Sequence, residues 1–255
     1  MLSKNLDEVI IMNIFRDGLM LRLMGEMNIA VGTAEFYLLL VGFILISVIA
    51  SYLLGSLSSA IIVSGALYKE DIRTHGSGNA GLTNMLRTYG KGAAALTLVG
   101  DMLKTAVAIL ITALLFGFSY KGGISMSGVC YLSGTCAVLG HVYPIFYGFK
   151  GGKGVLVTAT MAIILCPAVF GILIALFIII LAISGYVSLG SIIVASLFPF
   201  AVCINSYLSG GEIPLLTAIC TLFLGGFVVW CHRANIGRLR SGTEKKISIG
   251  KKEKK

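Results

Sequence analysis

The sequence predicts an all-α integral membrane protein with about seven transmembrane helices. Hydrophobic residues make up 57% of its 255 residues and charged residues only 12%, and mean hydropathy is +0.95. A soluble core of this length cannot hide that much apolar surface. Lysines and arginines are gathered in clusters between long uncharged runs, the pattern of a multi-pass chain.

Hydropathy places spans at roughly Phe36–Ser64, Ala93–Phe118, Gly128–Tyr147, Val155–Pro167, Ala168–Ser184, Val187–Ile204 and Ile213–Cys231. Several of the later runs are short for the ~20 residues that a crossing needs. The stretch from Val155 to Ser184 reads either as one helix kinked at Cys166-Pro167 or as two. Charge parity separates these readings. Of twenty Lys and Arg residues, four follow the first span (Lys69, Arg73, Arg87, Lys91), two follow the third (Lys150, Lys153) and nine lie in the tail, with none between Lys153 and Arg233. The positive-inside rule puts all three clusters in the cytoplasm, so an even number of crossings must separate Lys153 from Arg233. Two helices in Val155–Ser184 satisfy this, giving seven spans with the N-terminus outside. A re-entrant Val155–Cys166 followed by two crossings is the alternative.

Three regions follow: an N-terminal extension 1–35, a membrane domain 36–247 and a polybasic tail 248–255. The extension, with five acidic and three basic residues, has neither the basic start of a signal peptide nor a short apolar core. It reads as a floppy external segment, or as sequence upstream of a start near Met27. The tail suits anionic lipid headgroups. The net charge of +9 does not indicate nucleic-acid binding, because the basic residues flank apolar runs and not aromatic-studded polar faces. The six cysteines lie in or beside apolar spans with no CxxC spacing, so they read as packing residues, with neither a structural disulfide nor a metal site expected.

Three polar, glycine-rich interruptions carry the chemistry. In the first, Gly76-Ser-Gly-Asn-Ala-Gly81 has the form of a dinucleotide fingerprint, but that motif needs a strand before it and a helix after it. Its glycines still let backbone N–H groups approach an anion. Ser77, Gly78, Asn79, Thr83 and Asn84 supply neutral donors there, and Arg87 a bidentate cation. The second, Lys150-Gly-Gly-Lys-Gly154, is not a Walker loop, since Tyr147 stands where glycine is required and Gly154 where Ser/Thr binds magnesium. Two lysines on Gly151, Gly152 and Gly154 nevertheless suit a small phosphate better than snorkelling, which needs no glycine. His141 precedes this loop. In the third, His232 opens a segment bearing Arg233, Asn235 and Arg238. Asp101 and Lys104, three residues apart within the second span, read first as a neutralising pair, and Lys104 is a further candidate for positioning an anion.

These segments resemble the signature motifs of the membrane glycerol-3-phosphate acyltransferases that use acyl phosphate, the PlsY family. GSGNxGxTNxxR corresponds to Gly76–Arg87, GHxxPxFxxFKGGKG to Gly140–Gly154 and HRxNIxRLxxGxExK to His232–Lys246, in the family's order. Ser58 stands where many members have proline, and the N-terminal extension has no counterpart. The resemblance implies a seven-helix bundle with its motifs clustered at the cytoplasmic face of the bacterial inner membrane. It implies transfer of a fatty acyl group from acyl phosphate to the sn-1 hydroxyl of glycerol 3-phosphate, the first step of phospholipid synthesis, giving lysophosphatidic acid and phosphate.

In this reading Ser77, Arg87, His232 and Asn235 are catalytic. Gly78, Asn79, Thr83, Asn84, His141, Lys150, Gly151, Gly152, Lys153, Gly154, Arg233 and Arg238 bind substrate or phosphate, and Glu244 is structural. Neither a cofactor nor a metal is expected. The soluble enzyme that forms acyl phosphate is a further partner for the lysine-rich tail. The general base is His232, His141 or a substrate phosphate oxygen, with substrate assistance favoured and His232 orienting. An HxxxxD acyltransferase signature is missing, because Ala80, Phe146 and Gly237 lie five residues beyond the three histidines. The clustered aspartates of a metal-dependent phosphotransferase are missing too. A transporter for a phosphorylated solute is the competing class, but its site would lie near the bilayer midplane.

Overall fold

The computed structural model describes residues 17–117 and 126–247, so the polybasic tail 248–255 lies outside the described residues. Among the described residues every regular element is helical. The chain divides into two compact units. The first runs to Met161 and includes Pro214–Thr217, and the second comprises Ala162–Ile213 and Ala218 onward.

In the first unit, residues 17–26 form helix α1. The expected floppy extension is therefore ordered here. Met20 and Met24, one turn apart, are buried with Phe36, Leu40 and Phe43 of α2 (Ala34–Gly55), Phe116 of α5 (Lys91–Phe116) and Val129 of α6 (Met126–Val142). A methionine pair at i,i+4 makes an apolar stripe that even a short helix can bury. Gly18 and Gly117 have φ of +71° and +73°, and a Cβ on either would overlap the other's backbone, so two glycines seat α1 on the end of α5.

Helix α2 starts at Thr33, whose hydroxyl accepts from the Phe36 N–H at 3.3 Å. Its 22 residues rise ~33 Å, enough for the hydrocarbon core of a bilayer. Small residues let α2 and α6 touch closely. A Cβ on Gly55 would overlap the Ala137 carbonyl and one on Gly140 the Tyr52 carbonyl. The Ser51 and Ser133 hydroxyls pair at 2.8 Å, polar glue of the kind that joins helices in lipid. The helix ends at Gly55 and does not run through to Ser64 as hydropathy suggests. After the break come α3 (Ser59–Val63), a π-helical turn (Ser64–Tyr68), a 3₁₀ turn (Ile72–Thr74) and α4 (Leu82–Tyr89). Ala60, Ile72, Ala80, Met85 and Ala93 form a small core beneath these pieces.

The stretch from Val155 to Ser184 is two helices, α7 (Val155–Leu165) and α8 (Pro167–Ser184). Pro167 takes the first position of α8, where its missing N–H costs nothing. The second unit pairs α8 with α9 (Val187–Leu208), with Gly190 fitted against the Phe177 ring. Ile172, Ile178, Ile179 and Ile183 of α8 are exposed, as a face solvated by lipid requires. Helix α10 (Leu215–Cys231) bends by 53° into α11 (Arg233–Arg240).

Among the described residues, five segments are long and apolar enough to cross a membrane, and six if the bent α10–α11 pair counts as one. Helix α7 makes up the difference from the expected seven. Its 11 residues rise only ~16 Å, about half the hydrocarbon thickness.

Candidate active site

The first motif is a loop wrapped around one side chain. Asn84, 3% exposed, accepts from the Ser77 N–H at 3.0 Å. Its amide donates to the carbonyls of Ile72, His75 and Asn79 at 3.2, 3.0 and 3.1 Å. Gly76 and Gly78 have φ of +58° and +70°, and a Cβ on Gly76 would overlap Asn84 Oδ1. Here the structure corrects the expectation that Asn84 offers its amide to substrate, because that amide is used in shaping the loop. The loop so formed carries Ser77, Gly78 and Arg87 at the surface and leaves Asn79 and Thr83 half-buried.

Just before the loop, the Asp71 carboxylate caps the 3₁₀ turn by accepting from the Arg73 N–H at 2.9 Å. It also pairs with the Arg73 guanidinium at 2.7 Å. That hydrogen bond holds the Asp71 carboxyl below its usual range and raises Arg73. Arg73 Nη1 donates to the carbonyls of Tyr147 and Lys150 at 2.6 and 3.2 Å, and so fastens the second motif to the first. Arg73 registers in the sequence only as one charge among several. Its neighbour Asp71 is the available sign of a fixed guanidinium.

The second motif folds back on the end of α6. The N–H groups of Gly151 and Gly152 donate to the carbonyls of Val142 and His141, each at 3.1 Å. These N–H groups, expected to cradle phosphate, instead close the loop. The glycines serve close approach, since a Cβ on Gly151 would overlap the His141 carbonyl and one on Gly152 would overlap His141 Nε2. Lys150 is exposed and Lys153 half-buried, and Gly154, with φ of +83°, leads into α7. The C-terminal end of α2 holds the approach to the loop, with the Tyr52 hydroxyl donating to the Tyr143 carbonyl at 2.8 Å.

Behind the loop lies a buried polar chain. Lys104 Nζ is 2.8 Å from Asp101 Oδ1, 3.1 Å from His141 Nδ1 and 2.9 Å from the Leu57 carbonyl, to which it donates. The break after Gly55 leaves that carbonyl outside any α-helical ladder, and Lys104 supplies its donor. All three side chains are about 95% buried or more. The Asp101–Lys104 pairing was legible as an i,i+3 spacing, whereas His141, 37 residues away, was not.

The third motif belongs to the second unit and is organised by Glu244. Its Oε1 accepts from Asn235 Nδ2 and from the Ser188 hydroxyl, each at 2.7 Å. Its Oε2 accepts from Arg238 Nε at 2.6 Å. Burial opposes the Glu244 charge, but the bonds from Asn235, Ser188 and Arg238 outweigh it and hold the carboxyl below its ordinary value. His232, 3% exposed, has Nδ1 2.8 Å from the Val228 carbonyl. A carbonyl only accepts, so Nδ1 carries a proton. Arg233 stacks on the Trp230 ring, 4.2 Å from its centroid. Ser188 lies outside the motif, and no local pattern marks it.

The family model for glycerol-3-phosphate acyltransferases matches residues 45–242. The chain belongs to the PlsY family of glycerol-3-phosphate acyltransferases. A relative of that description from Clostridioides difficile is 42% identical over 206 residues, 80% of this chain and 95% of the relative. Another from Syntrophomonas wolfei is 42% identical over 197 residues, 77% and 93% of the two chains. Among solved structures, the glycerol 3-phosphate form of PlsY, an integral membrane glycerol 3-phosphate acyltransferase, superposes with a TM-score of 0.69 at 32% identity. It covers 80% of this chain and 96% of its own. The lysophosphatidic acid form gives 0.66 at 31% identity. The family match begins inside α2, so α1 precedes the part shared with the family.

Proposed function

We propose that this protein transfers a fatty acyl group from acyl phosphate to the sn-1 hydroxyl of glycerol 3-phosphate. The observation that carries this reading is the joining of the first two motifs through Arg73, which places the Ser77–Arg87 surface beside the Lys150–Lys153 loop. Both substrates bear phosphate. Ser77, Asn79, Thr83, Arg87, Lys150 and Lys153 supply the hydroxyl, amide, guanidinium and ammonium donors that phosphate oxygens take.

The donor is already activated, so three tasks remain: aligning hydroxyl with carbonyl, stabilising the tetrahedral oxyanion and receiving the departing phosphate. The hydroxyl oxygen bonds to the acyl carbon and the C–O bond to phosphate breaks. Phosphate leaves with the electron pair, and a substrate phosphate oxygen takes the hydroxyl proton. His232 hydrogen-bonds and orients, while Asn235, Arg233 and Arg238 bind substrate oxygens and Glu244 holds their segment in shape.

Seven spans with the motifs facing the cytoplasm agree with the charge clusters. An even number of crossings between Lys153 and Arg233 requires the 11-residue α7 to count as a crossing together with α8, α9 and α10. The acyl donor would then be met at the inner face of the cell membrane, where the basic tail suits anionic lipid and the soluble enzyme that makes acyl phosphate.

The test is purified protein with glycerol 3-phosphate and either palmitoyl phosphate or palmitoyl-CoA. Lysophosphatidic acid from the phosphate donor alone is expected. Product from the CoA donor alone, or from neither, overturns the reading.

A further inference from the structure

The buried chain Asp101–Lys104–His141 is larger than a structural ion pair requires. Lys104 Nζ faces three acceptors: Asp101 Oδ1 at 2.8 Å, the Leu57 carbonyl at 2.9 Å and His141 Nδ1 at 3.1 Å. An ammonium has three protons and no lone pair. Lys104 is ion-paired with Asp101 without a well-aligned hydrogen bond to Oδ1, and an ammonium can only donate, so His141 Nδ1 receives a hydrogen bond and bears no proton. The neutral imidazole then carries its hydrogen on Nε2. Asp101 balances the Lys104 charge, so the group is neutral overall with a neutral histidine. A second proton on His141 would set Nδ1–H against the ammonium at 3.1 Å.

The Nε2 side of the ring faces the seam between the first two motifs. A Cβ on Gly152 would overlap Nε2 and stand 2.9 Å from the Ala80 carbonyl, so Nε2 lies in close approach to Gly152 of the second motif, beside Ala80 of the first. We infer that Lys104 is a positioning residue that fixes His141 as a neutral Nε2–H hydrogen-bond donor directed at a substrate oxygen at the Gly152–Ala80 seam, and that His141 is not the general base. The inference rests on the acyl-transfer reading for what His141 contacts, but not for which nitrogen carries the proton. Asp101 and Lys104 act through His141 and touch no substrate.

Two measurements test it. In protein labelled with ¹⁵N-histidine, only three imidazoles contribute, and the His141 signals are those lost in His141→Gln. At neutral pH, His141 should show an unprotonated Nδ1 and a protonated Nε2. In Lys104→Met the two nitrogens should shift toward exchange between tautomers, a change that loss of packing alone does not produce. A protonated Nδ1 in the unaltered protein, alone or together with Nε2–H, overturns the inference whether or not the protein transfers acyl groups.

The second measurement uses amide mimics. Glutamine carries its N–H where imidazole has Nε2, and asparagine carries it where imidazole has Nδ1. His141→Gln should retain about tenfold more kcat/KM than His141→Asn, the effect of one hydrogen bond to a charged group. Equal losses in the two variants overturn the donor role. If the unaltered protein itself forms no lysophosphatidic acid, the acyl-transfer reading fails and the nitrogen signals still decide the tautomer.

Discussion

Arg73 Nη1 donates to the Tyr147 carbonyl at 2.6 Å while its other nitrogens grip Asp71. One guanidinium thus sets the spacing of two loops 74 residues apart in sequence. Replacing it should harm catalysis more than folding. A hydrogen bond from a charged donor contributes ~1.5–3 kcal/mol, so Arg73→Ala should lower kcat/KM for glycerol 3-phosphate about 10- to 100-fold. Arg73→Lys should recover little, because an ammonium cannot reproduce the planar fork. Steady-state kinetics on the purified variants would decide, and unchanged constants would remove Arg73 from the account.

Two glycines should behave oppositely under the same change. Gly152→Ala brings a Cβ into the His141 ring, so it should displace the ring and lose most activity. Gly237 lies inside α11 with nothing within 4 Å of an added Cβ and no positive φ. Gly237→Ala should be neutral or stabilise by up to ~1 kcal/mol, the helix preference for alanine over glycine. Thermal unfolding in detergent together with the acyl-transfer assay separates the two.

The third motif should be acid-sensitive through Glu244. Its folded-state value lies below the ordinary 4.5, so its stabilisation is fully present above that value and is lost as pH falls through the lowered one. Stability of the unaltered protein should therefore drop in the acid range below 4.5, and Glu244→Gln should flatten that part of the profile. An identical acid limb in both would show that Glu244 contributes nothing to it.

Truncating Met20 tests whether α1 belongs to the fold. Met20 is fully buried, and a buried Met→Ala change costs about 2–5 kcal/mol. Met20→Ala should lower the unfolding temperature yet leave kcat/KM of the folded enzyme unchanged. It packs near Phe116, at the end of α5 away from Lys91, ~38 Å along a helix of this length. An unaltered melting temperature would return α1 to the status of an appendage.

His232→Gln should keep appreciable activity and His232→Ala lose much of it, because a side chain that orients by hydrogen bonding can be replaced by an amide. Complete loss in both would make His232 an obligatory base.

Periodicity and composition suffice for the membrane class, because apolar runs and clustered lysines and arginines are local properties. The three motifs were equally legible, since glycine, lysine and histidine have little place in a lipid-facing helix. What a residue does inside a motif depended on partners far along the chain. Asn84 reads as a donor for substrate until four backbone groups surround it, and Gly151 and Gly152 read as a phosphate cradle until the carbonyls at the end of α6 take their N–H groups. Met20 and Met24 read as loose ends because the cluster they fill is built from three other helices. Hydrogen bonds are directional and short-ranged, so only the tertiary structure decided which polar groups face inward and are already used.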